Sequence, residues 1–229
     1  KKINLLVLNI SNAEDTLTAE EQSKLIDAMR NEFDVPENAE ISVNSVEPFI
    51  GKEMLLKGVK AVLWAGLLIV LYIWWRFRTM GLSAGLMAIV ALMHDAMVVF
   101  ATYIIFKIPL DDGFIAVVLT ILGYSINDTI VIYDRIRENM KTMRKANIGE
   151  IVNRSILQSM SRSINTSVAT FMSMVVVYIF AVVFNIESVR DFSLPLITGI
   201  ISGCYSTIFI AGPLWVVWKE YQIKRKAAA

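Results

Sequence analysis

Phe114–Tyr133 reads FIAVVLTILGYSINDTIVIY. At ~1.5 Å rise per residue, a helix of this length crosses a hydrocarbon core of about 30 Å. Yet its second half carries Asn127 and Asp128. An ionisable side chain at bilayer depth costs about 2.5–3.5 kcal/mol on insertion scales, so it needs a partner, a hydrated cavity or a function. Thr120, Tyr124, Asn127 and Asp128 recur at the spacing of one helical face, which continues to Asp134 and Arg135 at the polar end. The stretch is a membrane span with one polar side, and that side calls for neighbouring helices.

Four further apolar stretches supply them. With Phe114–Tyr133 they predict a mainly α, polytopic helical bundle with spans at about 55–75, 82–106, 114–133, 160–184 and 192–218. Composition agrees: 55% of residues are hydrophobic and 19% charged, too apolar for a soluble domain of 229 residues. Residues 1–54 read differently. Ile3–Ile10 and Glu40–Val46 are strand-like, and Thr18–Phe33 carries helix-period apolar residues, which predicts a small α+β domain, a β-α-β half of a ferredoxin-like fold. Residues 134–159 are charged and helix-like, a candidate amphipathic segment lying along the membrane surface, and 219–229 form a basic tail. Gly81/Gly85 and Gly199/Gly203 have the small-xxx-small spacing that lets helices approach closely. The five tryptophans fall mostly near span ends, where an interfacial aromatic belt is expected.

Basic residues set the orientation. Arg76 and Arg78, then Arg135, Arg137, Lys141, Arg144, Lys145 and Arg154, then Lys219, Lys224, Arg225 and Lys226 fall on one side, against only Lys107 and Arg190 opposite. The rule that cytoplasmic loops are positive makes the first group cytoplasmic and residues 1–54 extracytoplasmic. The chain starts at Lys1 rather than Met, and an outside N-terminal domain implies a further span upstream, making six in the intact subunit.

Three polar places stand out in the spans: His94 and Asp95, about twelve residues into the second; Asn127 and Asp128 in the third; and Arg162, in the first turn of the fourth. The fourth span has a polar stripe of Arg162, Asn165, Thr166, Ala169 and Ser173, and the fifth has Thr198, Ser202 and Tyr205. Three facing stripes would line a hydrated path. Asp128 and Arg162 are expected at similar depth on antiparallel neighbours, either as a static ion pair or as a carboxylate that exchanges protons beside a guanidinium. For His94 and Asp95 a structural role is the stronger expectation, because adjacent helical residues diverge by about 100° and one at most faces a shared site.

Other chemistries are poorly served. With 22 basic and 21 acidic residues the net charge is +1, so no basic field for nucleic acid exists. A single histidine with scattered carboxylates lacks zinc-site clustering, and Cys204 is alone. No nucleophile triad or phosphate-binding glycine loop occurs. The chain reads as a non-enzyme with no cofactor.

The run Gly123–Asn139, GYSINDTIVIYDRIREN, resembles the signature of the SecD/SecF family on its SecF side. Supporting matches are Arg76-Phe77, His94-Asp95, Ser161-Arg162-Ser163 with Thr166-Ser167, and Gly203–Ala211, so the likeness runs from Val46 to the tail. The resemblance implies a bilayer-embedded subunit of the bacterial cytoplasmic membrane. Its implied partners are SecD, as a separate or fused chain, the SecYEG channel and the translocating preprotein. It implies use of the proton-motive force, with Asp128 and Arg162 as the proton-coupling pair and Tyr124, Asn127, Asn165, Thr166, His94 and Asp95 as supporting polar groups. Such proteins are similar to the resistance-nodulation-division transporters, so a small-molecule efflux fragment and a passive membrane scaffold are the competing readings.

Overall fold

The computed structural model describes residues 19–33 and 48–227, and every element in them is helical. The chain divides into two compact units, Lys1–Val59 and Lys60–Ala229. In the first, α1 (Ala19–Phe33) occupies the expected amphipathic helix. The two strand-like stretches expected beside it lie outside the described residues.

Five helices are long and apolar enough to cross a membrane: Leu56–Arg76, Leu82–Phe106, Gly113–Thr142, Ile148–Val183 and Glu187–Lys226. They belong to α2 (Pro48–Arg76), α3 (Leu82–Phe106), α4 (Asp112–Thr142), α5 (Ile148–Val183) and a last span made of α6 (Glu187–Ser206), a π-helical turn (Thr207–Ala211) and α7 (Gly212–Ala227). The protein is a multi-pass membrane chain. Leu63, Trp64, Leu68 and Trp75 on α2 and Met172, Phe180 and Val183 on α5 are each more than half exposed, a surface suited to lipid or other helices and not to water.

Local chemistry explains the helix ends. Gly81 precedes α3 at φ 79°, a left-handed conformation open to glycine without strain. The Asp111 carboxylate accepts from the Gly113 amide at 2.9 Å to start α4, and the Asn147 side chain accepts from the Glu150 amide at 2.7 Å to start α5. Lys107, at φ 54°, closes α3 in the left-handed region.

The segment 134–159 is not a separate surface helix. α4 runs on to Thr142 and α5 begins at Ile148, so the charged segment is the tip of a helical hairpin. Ile136, Ile151, Val152 and Ile156 are buried in the main core, and Asn139 donates to Ser155 Oγ and Gln158 Oε1, both at 2.8 Å. The apolar positions in this segment stay in phase with those of the spans, so both helices simply continue.

α6 occupies the centre, packed on α3, α4 and α5. Its glycines make that possible. A Cβ built on Gly199 would lie 2.5 Å from Ile121 Cγ1 on α4 and 3.0 Å from Val99 Cγ2 on α3, and one on Gly203 would lie 3.2 Å from Ser125 Cβ. Trp215 departs from the interfacial belt: it is fully buried, with Lys219 Nζ 5.9 Å from its ring centroid. Phe77 and Tyr133 meet edge to face at 5.9 Å, and the Tyr133 hydroxyl donates to the Ala84 carbonyl at 3.1 Å, tying α4 to the start of α3.

The close approach at Gly199 predicts that Gly199→Ala lowers stability by about 1–3 kcal/mol through overpacking. Gly123→Ala, whose Cβ meets nothing within 4 Å, should be neutral or stabilising by up to about 1 kcal/mol. Thermal unfolding of both variants in detergent checks the contrast, which equal losses would contradict.

Candidate functional site: two intramembrane carboxylates

Asp95 and Asp128 have opposite surroundings. Asp95, on α3, is completely buried. Its Oδ2 accepts from Ser125 of α4 at 2.6 Å and Ser206 of α6 at 2.7 Å, while Oδ1 accepts from Ser202 of α6 at 2.6 Å. His94 Nδ1 lies 3.2 Å from Oδ1, its side chain one-third exposed, so the imidazole turns back over the carboxylate from the helix edge. Along the bundle, Thr129 and Thr207 hydroxyls meet at 3.2 Å on one side of this cluster, and Thr102 and Thr198 pair at 2.8 Å on the other.

Asp128, on α4, is only partly buried, and among the described residues it accepts a single hydrogen bond, from Ser163 Oγ of α5 to Oδ1 at 2.6 Å. Its Oδ2 is closed to solvent and has no hydrogen-bond partner among the described residues. A buried oxygen left without a donor is costly and needs a chemical explanation. Alongside, the Tyr124 hydroxyl donates to Ser167 Oγ at 2.9 Å, which makes a second polar tie between the same two helices.

Arg162 makes no ion pair with Asp128 among the described residues. The similar depth expected from sequence does not bring the charges together in this conformation. Arg162 is exposed and lines a cavity of about 510 Å³ with Arg76, Asp134, Arg135, Glu138 and Lys141. There Asp134 Oδ1 receives Arg76 at 3.0 Å and Arg137 at 2.9 Å, so the Asp-Arg-x-Arg-Glu end of α4 is paired with the end of α2.

The three stripes do not converge on one path. Those of α4 and α5 are adjacent and open outward: Thr120, Asn127, Asn165, Thr166 and Ser173 are exposed. Thr120, Thr166 and Ser173 hydroxyls bond back to carbonyls four residues earlier in their own helices. The stripe of α6 turns instead to α3, through Thr198 and Ser202. Sequence reasoning missed Ser125, Ser163 and Ser206 because serine is common at close helix contacts and gives no periodic signal of its own. The spacing of Ser202 and Ser206, four apart on one face of α6, is the pattern that would have found Ser206.

The chain matches the family model for the protein export membrane protein SecD/SecF, C-terminal, over residues 26–221. The chain belongs to the SecD/SecF family. It is 42% identical over 214 residues to the protein translocase subunit SecF of Alicyclobacillus acidocaldarius, covering 92% of this chain and 67% of that protein. It is 36% identical to the SecF of Koribacter versatilis, covering 94% of this chain and 52% of the relative. The protein translocase subunit SecDF of Bacillus subtilis is 37% identical over 82% of this chain, which spans 25% of that longer protein. Among solved structures, SecDF of Thermus thermophilus, a translocon-associated membrane protein, superimposes with a TM-score of 0.76 at 36% identity, covering 89% of this chain and 27% of that one. The chain thus spans about two thirds of one SecF relative, about half of another, and about a quarter of the SecDF proteins. These family members are named as translocase subunits, a transport component.

Asp95→Ala leaves buried hydroxyls on α4 and α6 without their acceptor, and should lower the unfolding temperature by an amount equivalent to about 2 kcal/mol or more. Thr166→Ala, on the exposed face, should change stability by less than about 0.5 kcal/mol. Fluorescence-detected size exclusion after heating reads both, and an Asp95→Ala variant as stable as the parent would show that the cluster does not hold the bundle.

Proposed function

We propose that this chain is the membrane part of a SecF-type subunit that works with SecD, and that Asp128 carries the proton that couples the proton-motive force to preprotein export. The observation that carries the reading is Asp128 Oδ2, sealed from solvent yet without a donor. A proton on this oxygen removes the charge and supplies a donor, whereas Asp95, filled with donors, has no comparable vacancy. The exposed polar face around Asp128 supports a second membrane bundle as its cover. Asn127, Asn165 and Thr166 sit at membrane depth, where lipid offers no hydrogen bonds. The SecDF relatives hold both halves in one chain, which favours SecD as that cover. Arg162, about one helical turn away in sequence from Thr166 and unpaired with Asp128, is positioned to approach it when the helices move. The translocating preprotein and the SecYEG channel are the further partners of this reading, with the hairpin tip on the cytoplasmic side and residues 1–54 outside.

Two measurements test it. In membrane vesicles containing the intact SecD partner, Asp128→Asn keeps size and hydrogen bonding but cannot titrate. It should assemble normally while losing all stimulation of preprotein release by an imposed proton gradient. Gradient-dependent release at the parent rate would end the proton-carrying role. For topology, protease added to right-side-out and inverted vesicles should cut near Lys141–Lys145 only when the cytoplasmic face is exposed.

A further inference from the structure

We propose that His94, Asp95 and Ser202 form a closed hydrogen-bonded ring that binds one proton inside the bundle, at a site separate from Asp128. The three edges of the ring are His94 Nδ1 to Asp95 Oδ1 at 3.2 Å, Asp95 Oδ1 to Ser202 Oγ at 2.6 Å, and Ser202 Oγ to His94 Nδ1 at 3.5 Å. Each atom can change role. In one arrangement the imidazolium Nδ1–H and the Ser202 hydroxyl both donate to a carboxylate Oδ1. In the other the proton has moved, so that the Nδ1–H bond is broken and an Oδ1–H bond formed. Oδ1–H then donates to Ser202 Oγ, and the serine hydroxyl rotates to donate to the vacated Nδ1. No proton is created or lost, and Nδ1, Oδ1 and the Ser202 hydroxyl are each paired in both arrangements.

The rest of the cluster holds the carboxyl still while this happens. Oδ2 keeps its bonds from Ser125 and Ser206 in both arrangements. The charge balance also needs the ring. Asp95 is fully buried, and among the described residues the one ionisable side chain paired with it is His94. A buried carboxylate without a counter-charge is strongly disfavoured in hydrocarbon, so a proton on the pair removes a large cost. The way in is the imidazole, one-third exposed while its partner is sealed. Around it, α6 presents the titratable Tyr205, with its ring centroid 5.9 Å from that of His94, while α4 and the π-helical turn present the hydroxyls of Ser125, Thr129 and Thr207.

The position of the proton is felt by α6, because Ser202 reverses its bond to α3 between the two arrangements. Five residues on, the span changes to the π-helical turn Thr207–Ala211. Such turns are frequently placed at functional sites, and this one lets the last span shift register without breaking.

His94 is the one histidine in this sequence, so its imidazole can be followed alone by nitrogen-15 histidine labelling, with His94→Gln assigning the signal. The labelled subunit is assembled with its SecD partner in lipid nanodiscs and read by solid-state NMR between about pH 5 and pH 8, the range of histidine charge change. The expected result is an Nδ1 signal that changes as the ring gives up its proton. Ser202→Ala should move the pH at which this happens, and Asp95→Asn should weaken proton binding. Ser202→Ala removes a single hydroxyl, so the comparison survives if Asp95→Asn does not fold. An imidazole spectrum unchanged across the range, or a Ser202→Ala midpoint equal to that of the parent, overturns the ring. Asp128→Asn should leave the His94 response in place even where export is lost, so this site and the proposed export role fail by different measurements.

Discussion

Three hydroxyls on two helices converge on the carboxylate of Asp95, and the centre of the bundle depends on that convergence. In lipid, apolar contacts between helices gain little over contacts with acyl chains, so specific association relies on close packing and polar bonds. Asp95 joins α3 to α4 and α6 with bonds of 2.6 and 2.7 Å, and Gly199 and Gly203 admit α6 close enough for its serines to reach. The two devices need each other. Without the glycines, side chains would hold α6 away from Ile121 and Ser125; without the hydroxyls, a buried carboxylate would be too costly to keep.

Asp128 lies on the other side of α4 under a different regime. One bond from Ser163 holds Oδ1, nothing among the described residues holds Oδ2, and the flanking Asn127 is exposed. A carboxylate that is fully satisfied rigidifies what it touches, whereas one that is half satisfied leaves part of its desolvation cost unmet. α4 therefore separates a fully bonded polar core facing α3 and α6 from an unfinished polar face shared with α5. The same contrast explains why the outward surface is mixed, with apolar walls on α2 and α5 and a polar strip between α4 and α5 that suits protein better than acyl chains.

Much of this was legible in the residues. The five spans follow from apolar runs of sufficient length, and their observed starts fall close to the expected ones at Gly81 and Asp111, whereas Asn147 starts α5 at Ile148 and not at the expected 160. The misread segment was 134–159. Its charges suggested a surface helix, but charge marks only the exposed side of a helix, and Ile136, Ile151 and Val152 on the other side keep it in the core. Trp215 was likewise assigned to the interface by position, although its ring fills the interior.

The linear order of residues was enough to determine that the chain crosses a membrane, where it crosses, and that ionisable groups inside it demand explanation, because hydrophobic length and insertion cost are properties of each segment alone. Which polar face meets which was decided only by tertiary structure. The stripe of α6 could equally have faced Asp128. It meets Asp95 instead, because Gly199 and Gly203 set its rotation against α3 and α4, and a helix turned by packing carries all its hydroxyls with it. Arg162 and Asp128 stayed apart for the same reason: depth along a helix is written in the sequence, but the angle at which two helices present their side chains is a property of the packed bundle.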